Sequence, residues 1–156
     1  MTTKPVTESP EASFYGLGIA PQLLEALGRL KFSKPTPIQH KAIPIALEGQ
    51  DIIGIAQTGT GKTLAFGIPM IQRLAQVKGQ GLVLLPTREL AIQAQQHLHQ
   101  MDSRLKSALI IGGASMYNQI QELRRHPRIL IATPGRLVDH MQQKRVSLHD
   151  VKILVL

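Results

Sequence analysis

The residues Ala56-Gln57-Thr58-Gly59-Thr60-Gly61-Lys62-Thr63 combine small backbone positions with a Lys-Thr pair, a combination suited to holding a polyphosphate. Glycines let backbone N–H groups approach phosphate oxygens closely, and a helix that starts at the lysine favours negative charge at its N-terminus. Lys62 can reach β- and γ-phosphates, and the Thr63 hydroxyl can ligate Mg²⁺. The general pattern opens with glycine, whereas this chain has Ala56. The bland alternative is a turn that starts a helix and binds nothing. The order of apolar run, glycines, Lys-Thr and helical pattern argues against it.

Three further segments could carry chemistry. Thr36-Pro37-Ile38-Gln39 has two readings. Thr36 as N-cap, Pro37 at N1 and Gln39 at N3 form a capping box. Equally, the Gln39 amide offers the donor and acceptor that an adenine edge requires. Pro86-Thr87-Arg88-Glu89-Leu90-Ala91 and Thr133-Pro134-Gly135-Arg136 share a plan: each follows an apolar run, opens a helix at a threonine and carries Arg in the first turn. A helix start with Thr and Arg suits a nucleic-acid phosphate; each is also an ordinary capped helix. Gly112-Gly113 could admit a close backbone approach or be only a turn. His97 and His99 point to different faces of one helix, so a metal site built from protein ligands is not expected. Met116 and Met141 read as core filler.

The elements that must position these residues follow from hydrophobic spacing. Helices are expected at Ala20–Leu30, Thr36–Leu47, from the phosphate loop to about Leu74, Thr87–Asp102, Met116–Arg125 and Pro134–Gln142. Pro44 should bend or shorten the second. Strands are expected at Asp51–Ala56, Gly81–Leu85, Ala108–Ile111, Arg128–Ala132 and Ile153–Leu156, the second buried on both faces. This alternation predicts an α/β fold with a mostly parallel sheet flanked by helices, whose carboxyl edge collects the three loops.

Composition sets the outer limits. The chain has 156 residues, 43% of them hydrophobic and only 3% aromatic, so it can bury one aliphatic core. With no cysteine, disulfides and Cys-based zinc sites are excluded and a reducing compartment fits. No apolar run is long enough for a membrane span, and no basic-then-apolar leader is visible. The formal net charge of +8, from 18 Lys and Arg against 10 Asp and Glu, favours a polyanionic partner or simply solubility. Residues 1–13 are polar, with two prolines, and read as a loose tail.

In order and combination, these motifs resemble the first, RecA-like domain of DEAD-box ATP-dependent RNA helicases over residues 14–156: Phe14, a Q motif from Phe32 to Gln39, motif I at Ala56–Thr63, motif Ia at Pro86–Ala91, the Gly112-Gly113 doublet and motif Ib at Thr133–Arg136. Ala56 is the family's usual first loop residue. The resemblance implies a P-loop NTPase fold using ATP or ADP with Mg²⁺. Phe32 would stack on adenine, and Lys34 and Gln39 would line its pocket. Thr58, Gly59, Thr60, Gly61, Lys62 and Thr63 would hold the phosphates, with Lys62 and Thr63 catalytic and Thr63 meeting Mg²⁺ through the nucleotide. Pro86, Thr87, Arg88, Gly112, Gly113, Thr133, Pro134, Gly135 and Arg136 would line a track for the RNA backbone. Lys31 departs from the family, which usually has glycine before the phenylalanine.

The resemblance also sets expectations about what is missing. Lys152–Leu156 looks like the strand leading into the Asp-Glu-Ala-Asp motif, which is not among these residues; nor are the Ser-Ala-Thr motif and the second RecA-like domain. Read this way, the domain is C-terminally incomplete, and these residues alone should bind nucleotide and RNA weakly at most and hydrolyse nothing. A gap is expected in mid-sheet, with two unpaired edges, repaired in a longer parent or by a strand-exchanged oligomer. A cytoplasmic location is expected. Two other readings stand beside the helicase: a non-catalytic nucleotide- or RNA-binding fragment, and a small-molecule kinase, which the Q motif and paired Arg-bearing helix starts disfavour.

Overall fold

A computed structural model describes residues 12–57, 59 and 61–156. Most of the expected tail, and Thr58 and Thr60 of the phosphate loop, lie outside the described residues. The elements run α1 (Pro21–Arg29), α2 (Pro37–Leu47), α3 (Lys62–Leu74), β1 (Gln80–Leu84), α4 (Arg88–Met101), β2 (Ser107–Ile110), α5 (Met116–Leu123), β3 (Ile129–Ala132), α6 (Pro134–Gln142) and β4 (Val151–Val155). The four strands form one sheet in the order β2-β3-β1-β4, and every pairing is parallel. Strand–helix–strand crossovers force this arrangement, because parallel neighbours cannot be joined by a tight turn.

Alternation along the strands divides the core. Val83, Ile129 and Ile131 point to one face, under α1, α3 and α4. Leu82, Leu130, Ala108 and Ile110 point to the other, against Leu137 of α6 and Leu123 of α5. Burying both faces makes these strands nearly continuous apolar runs. The outer strand β2 is protected: the Glu122 carboxylate on α5 accepts from the Leu109 N–H at 3.2 Å, which occupies an otherwise open ladder donor.

Helix ends follow from local chemistry. Thr36 and Gln39 form the full capping box at the start of α2. The helix then runs through Pro44 to Leu47 and is not shortened. Proline removes one backbone donor, but the His40 N–H to Thr36 and Glu48 N–H to Pro44 bonds persist on either side, and Ile43 is fully buried. At the end of α1 the Lys31 N–H donates to Gly28 and the Phe32 N–H to Leu27. This is a Schellman closure, and it sets Lys31 at φ +62°, the position where helices favour glycine.

Two expectations are corrected. Asp51–Ala56 is not a strand: it joins no ladder, and Ile53 and Ile55 are 93% and 92% exposed. A strand requires a neighbour to satisfy its backbone groups, and among the described residues none pairs with this segment. The sheet is therefore one continuous four-stranded unit, not two parts separated by a gap. Met116 and Met141 are not core residues either. Met116 is half-buried and Met141 exposed, while Met70 and Met101 fill the interior.

Candidate nucleotide and nucleic-acid site

The phosphate loop precedes α3 directly. Gly59 and Gly61 have φ of +78° and +80°, values that L-residues with side chains avoid. Gly61 is the N-cap of α3, and no side chain caps that helix, although Thr36, Thr87 and Ser115 cap α2, α4 and α5. A side-chain-free helix start that carries a lysine matches an anion. The exposed Lys62 ammonium donates to the Ala56 carbonyl at 2.6 Å, folding back over the loop it would otherwise reach across. Thr63, half-buried in the first turn of α3, contributes one hydroxyl. The described residues hold no group of three His, Cys, Asp or Glu able to bind a metal, so this donor set fits Mg²⁺ only when phosphate oxygens supply the remaining ligands.

Gln39 serves two elements at once. Its Oε1 accepts from the Thr36 N–H at 2.9 Å and its Nε2 donates to the Gly61 carbonyl at 3.1 Å. A Cβ on residue 61 would collide with that Nε2. Capping and site-building are therefore the same contact network, and the buried amide ties α2 to the phosphate loop. Phe32, the last residue of the α1 closure, is 42% exposed, and an exposed ring there is available for stacking. Lys34 is also exposed.

The other candidates meet at the carboxyl edge of the sheet, after β1, β2 and β3. Thr87 caps α4 through its hydroxyl, which accepts from Leu90 at 3.3 Å; Pro86 beside it is exposed. Arg88 Nη1 donates to the Gly112 carbonyl at 3.4 Å. Gly113 lies at φ +75°, where a Cβ would strike the same guanidinium. Thr133 is the positional N-cap of α6 without a side-chain bond; Pro134 and Gly135 follow, exposed. Arg136 Nη1 donates to the Ala114 carbonyl at 3.0 Å and to Gln119 Oε1 at 3.2 Å. A cation in the first turn of a helix opposes the macrodipole. Arg88 and Arg136 each offset this by holding the Gly112–Ala114 turn, so all three loops form one surface.

Two residues that organise this surface escaped sequence reasoning. Gln119 is buried on α5, donating to the Ile111 carbonyl at 2.7 Å. His140 on α6 is fully buried, with Nε2 2.8 Å from Gln119 Oε1. Because the Gln119 oxygen only accepts, Nε2 carries the proton; Nδ1 is buried without a partner. Burial, with the Arg136 and Arg145 charges, lowers the His140 pKa below its ordinary value. The available signal was spacing: Gln119 falls in register with Met116 and Leu123, and His140 with Leu137, on inward faces.

Sheet, crossovers and glycine-lined loop define a RecA-like phosphate-loop domain. The chain belongs to the DEAD/DEAH box helicase family, whose sequence pattern matches residues 36–156. It is 52% identical over 157 residues to the ATP-dependent rRNA helicase RRP3 of Debaryomyces hansenii, covering 97% of this chain and 33% of that protein. To the ATP-dependent RNA helicase CshA of Limosilactobacillus reuteri it is 46% identical, covering 92% of this chain and 30% of that protein. A DEAD box protein from the hyperthermophile Methanococcus jannaschii superposes with a TM-score of 0.83 at 36% identity, covering 91% of this chain and 40% of that one. The chain thus spans about a third of the length of the curated relatives it matches. None of its described helices is long and apolar enough to cross a membrane.

Proposed function

We propose that these residues form the nucleotide site and one wall of the RNA track of an ATP-dependent RNA helicase. The observation that carries this reading is the Gln39–Gly61 bond, which joins an amide suited to adenine to the loop suited to phosphates. In this reading Phe32 stacks on the base, and Lys34 and Gln39 complete its pocket. Gly59, Gly61 and the first turn of α3, with Thr58 and Thr60, surround the phosphates. The Lys62 ammonium exchanges the Ala56 carbonyl for phosphate oxygen. Bound with the nucleotide, Mg²⁺ would be held by Thr63 and would neutralise phosphate charge.

The edge formed by Pro86, Thr87, Arg88, Gly112, Gly113, Thr133, Pro134, Gly135 and Arg136 takes the sugar-phosphate backbone of one strand, with little preference for base sequence. In the longer protein a second RecA-like domain closes over nucleotide and RNA and supplies the remaining catalytic groups, so that hydrolysis is coupled to local opening of a duplex. The 156 residues alone have no acid positioned by motif to orient water, and no hydrolysis by them is expected. An unpaired Asp51–Ala56 segment in these residues is also open to strand exchange between copies.

Titration with labelled ADP and GDP, in Mg²⁺ at low salt, tests the nucleotide half. Saturable binding that prefers ADP and disappears in Lys62→Ala supports it. Equal affinity for both bases removes the adenine role of Gln39. Competition by single-stranded RNA separates a helicase part from a small-molecule kinase, which would bind nucleotide with no response to RNA.

A further inference from the structure

The excess positive charge does not sit on the candidate RNA track, where Arg88 and Arg136 are the only cations. It gathers at the opposite, amino edge of the sheet. There two clefts, of about 480 Å³ and about 510 Å³, meet at Pro127. Lys106 and Arg125 line the first beside the start of β2. Lys78, His126, Arg128 and Lys152 line the second beside the starts of β1 and β4. The loops leaving α5 and α6 add Arg124, Lys144 and Arg145, all exposed, whereas Arg104 after α4 is neutralised by Asp102 at 3.0 Å.

Two ordinary explanations account for part of this. Cations at helix C-termini are favoured by the macrodipole, which covers Arg125, two residues past α5. Arg128 is structural: it donates to the carbonyls of Leu74, Val77 and Gly79 at 2.6, 2.8 and 2.8 Å and closes α3. Neither explanation reaches Lys106 and Lys152, which stand at strand starts, exposed. Among the described residues, none of Lys78, Lys106, Arg125 and Lys152 has an ion-pair partner. Of the acids in the clefts, Glu122 is committed to the Leu109 N–H, which leaves Asp150 as the one other carboxylate.

We infer that this furrow is a second polyanion surface, which takes the phosphate backbone of RNA extending beyond the track. Four cations without an ion-pair partner among the described residues, set around a concave path, match a backbone bearing one charge per nucleotide, and such contacts raise affinity without reading sequence. The inference rests on the RNA-binding reading but uses none of the track's residues.

The test compares the chain with its Lys78→Gln/Lys106→Gln/Arg125→Gln/Lys152→Gln variant, using a short single-stranded RNA and a long one at several salt concentrations. All four positions are on the surface, and circular dichroism and Tm check that the fold is kept. For the long RNA, the slope of log affinity against log salt is expected to fall in magnitude by roughly 3, about 0.7 per lost phosphate contact; for the short RNA it stays unchanged. An unchanged slope with the long RNA overturns the inference, including where the furrow instead captures an acidic protein. An Arg88→Ala/Arg136→Ala variant is measured in parallel. Loss of short-RNA binding there tests the track by itself, so the two readings fail separately.

Discussion

Gln39 and Gly61, 22 positions apart, are joined by one hydrogen bond of 3.1 Å from the amide Nε2 to the glycine carbonyl. The same amide caps α2 through its oxygen. Gln39→Ala removes both bonds and is expected to cost about 1–2 kcal/mol of stability, together with nucleotide affinity. Gln39→Glu separates the roles, because a carboxylate still accepts from Thr36 but faces the Gly61 carbonyl without a donor. The buried carboxylate opposite a carbonyl should lower Tm although the cap is kept, and ADP binding should weaken at least tenfold. Equal ADP affinity in parent and Glu variant would show that the link to the loop is irrelevant to binding.

Lys31 pays a conformational cost at φ +62°. Lys31→Gly keeps both closing bonds of α1 and relieves that strain, so stability should rise by about 1 kcal/mol, or roughly 2–4 °C in Tm. A fall in Tm would mean that the lysine side chain contributes more than its backbone strain removes.

Gly113 gives Arg88 its space. Gly113→Ala places a Cβ against the guanidinium at a left-handed position, and both effects displace the turn that the two arginines hold. Single-stranded RNA affinity should fall at least fivefold with little change for ADP, measured by fluorescence anisotropy on the same sample. A parallel loss of ADP binding would indicate general unfolding instead.

His140 gives the fold an acid sensitivity. Its folded pKa lies below the ordinary histidine value because of burial and the charges of Arg136 and Arg145, so the unfolded chain binds the proton more readily. The contribution is intact above the unfolded pKa near 6.5, and is lost as pH falls from there toward the folded pKa. The slope from this one group is at most about 1.4 kcal/mol per pH unit. In His140→Leu, the decline of Tm between neutral pH and the acid side of that window should be shallower than in the parent. Identical profiles would assign the acid sensitivity elsewhere.

Much of the local geometry of the candidate site could be read from residue types at fixed offsets. The capping box at Thr36 and Gln39, the Gly-Lys-Thr turn and the two Arg-bearing helix starts each depend on local chemistry that spacing expresses directly. The Asp51–Ala56 segment could not be read this way. Its isoleucines have strand character, but a strand is a pairwise property, and no described partner satisfies its backbone. Gln119 and His140 were hidden for the opposite reason: polar residues on an inward helical face look like interruptions until the partner across the packing is known. Sequence placed Met141 in the core one position from the true inward residue, His140, an offset that the 100° step of a helix turns into the opposite environment.

The placement of β3 has a consequence for how the molecule breathes. All four of its residues are buried, and it is flanked by β2 and β1, whereas β4 alternates between half-buried and exposed positions and pairs only with β1 among the described residues. Amide protons should therefore exchange with solvent slowest along Ile129–Ala132, sooner in β4, and almost at once in the Asp51–Ala56 segment. The loop after β3 thus hangs from the most slowly opening strand, while the segment leading into the phosphate loop, outside the sheet, opens most readily. A polyphosphate that orders that loop should appear in such an experiment as protection arising at residues 51–57 and leaving β3 unchanged.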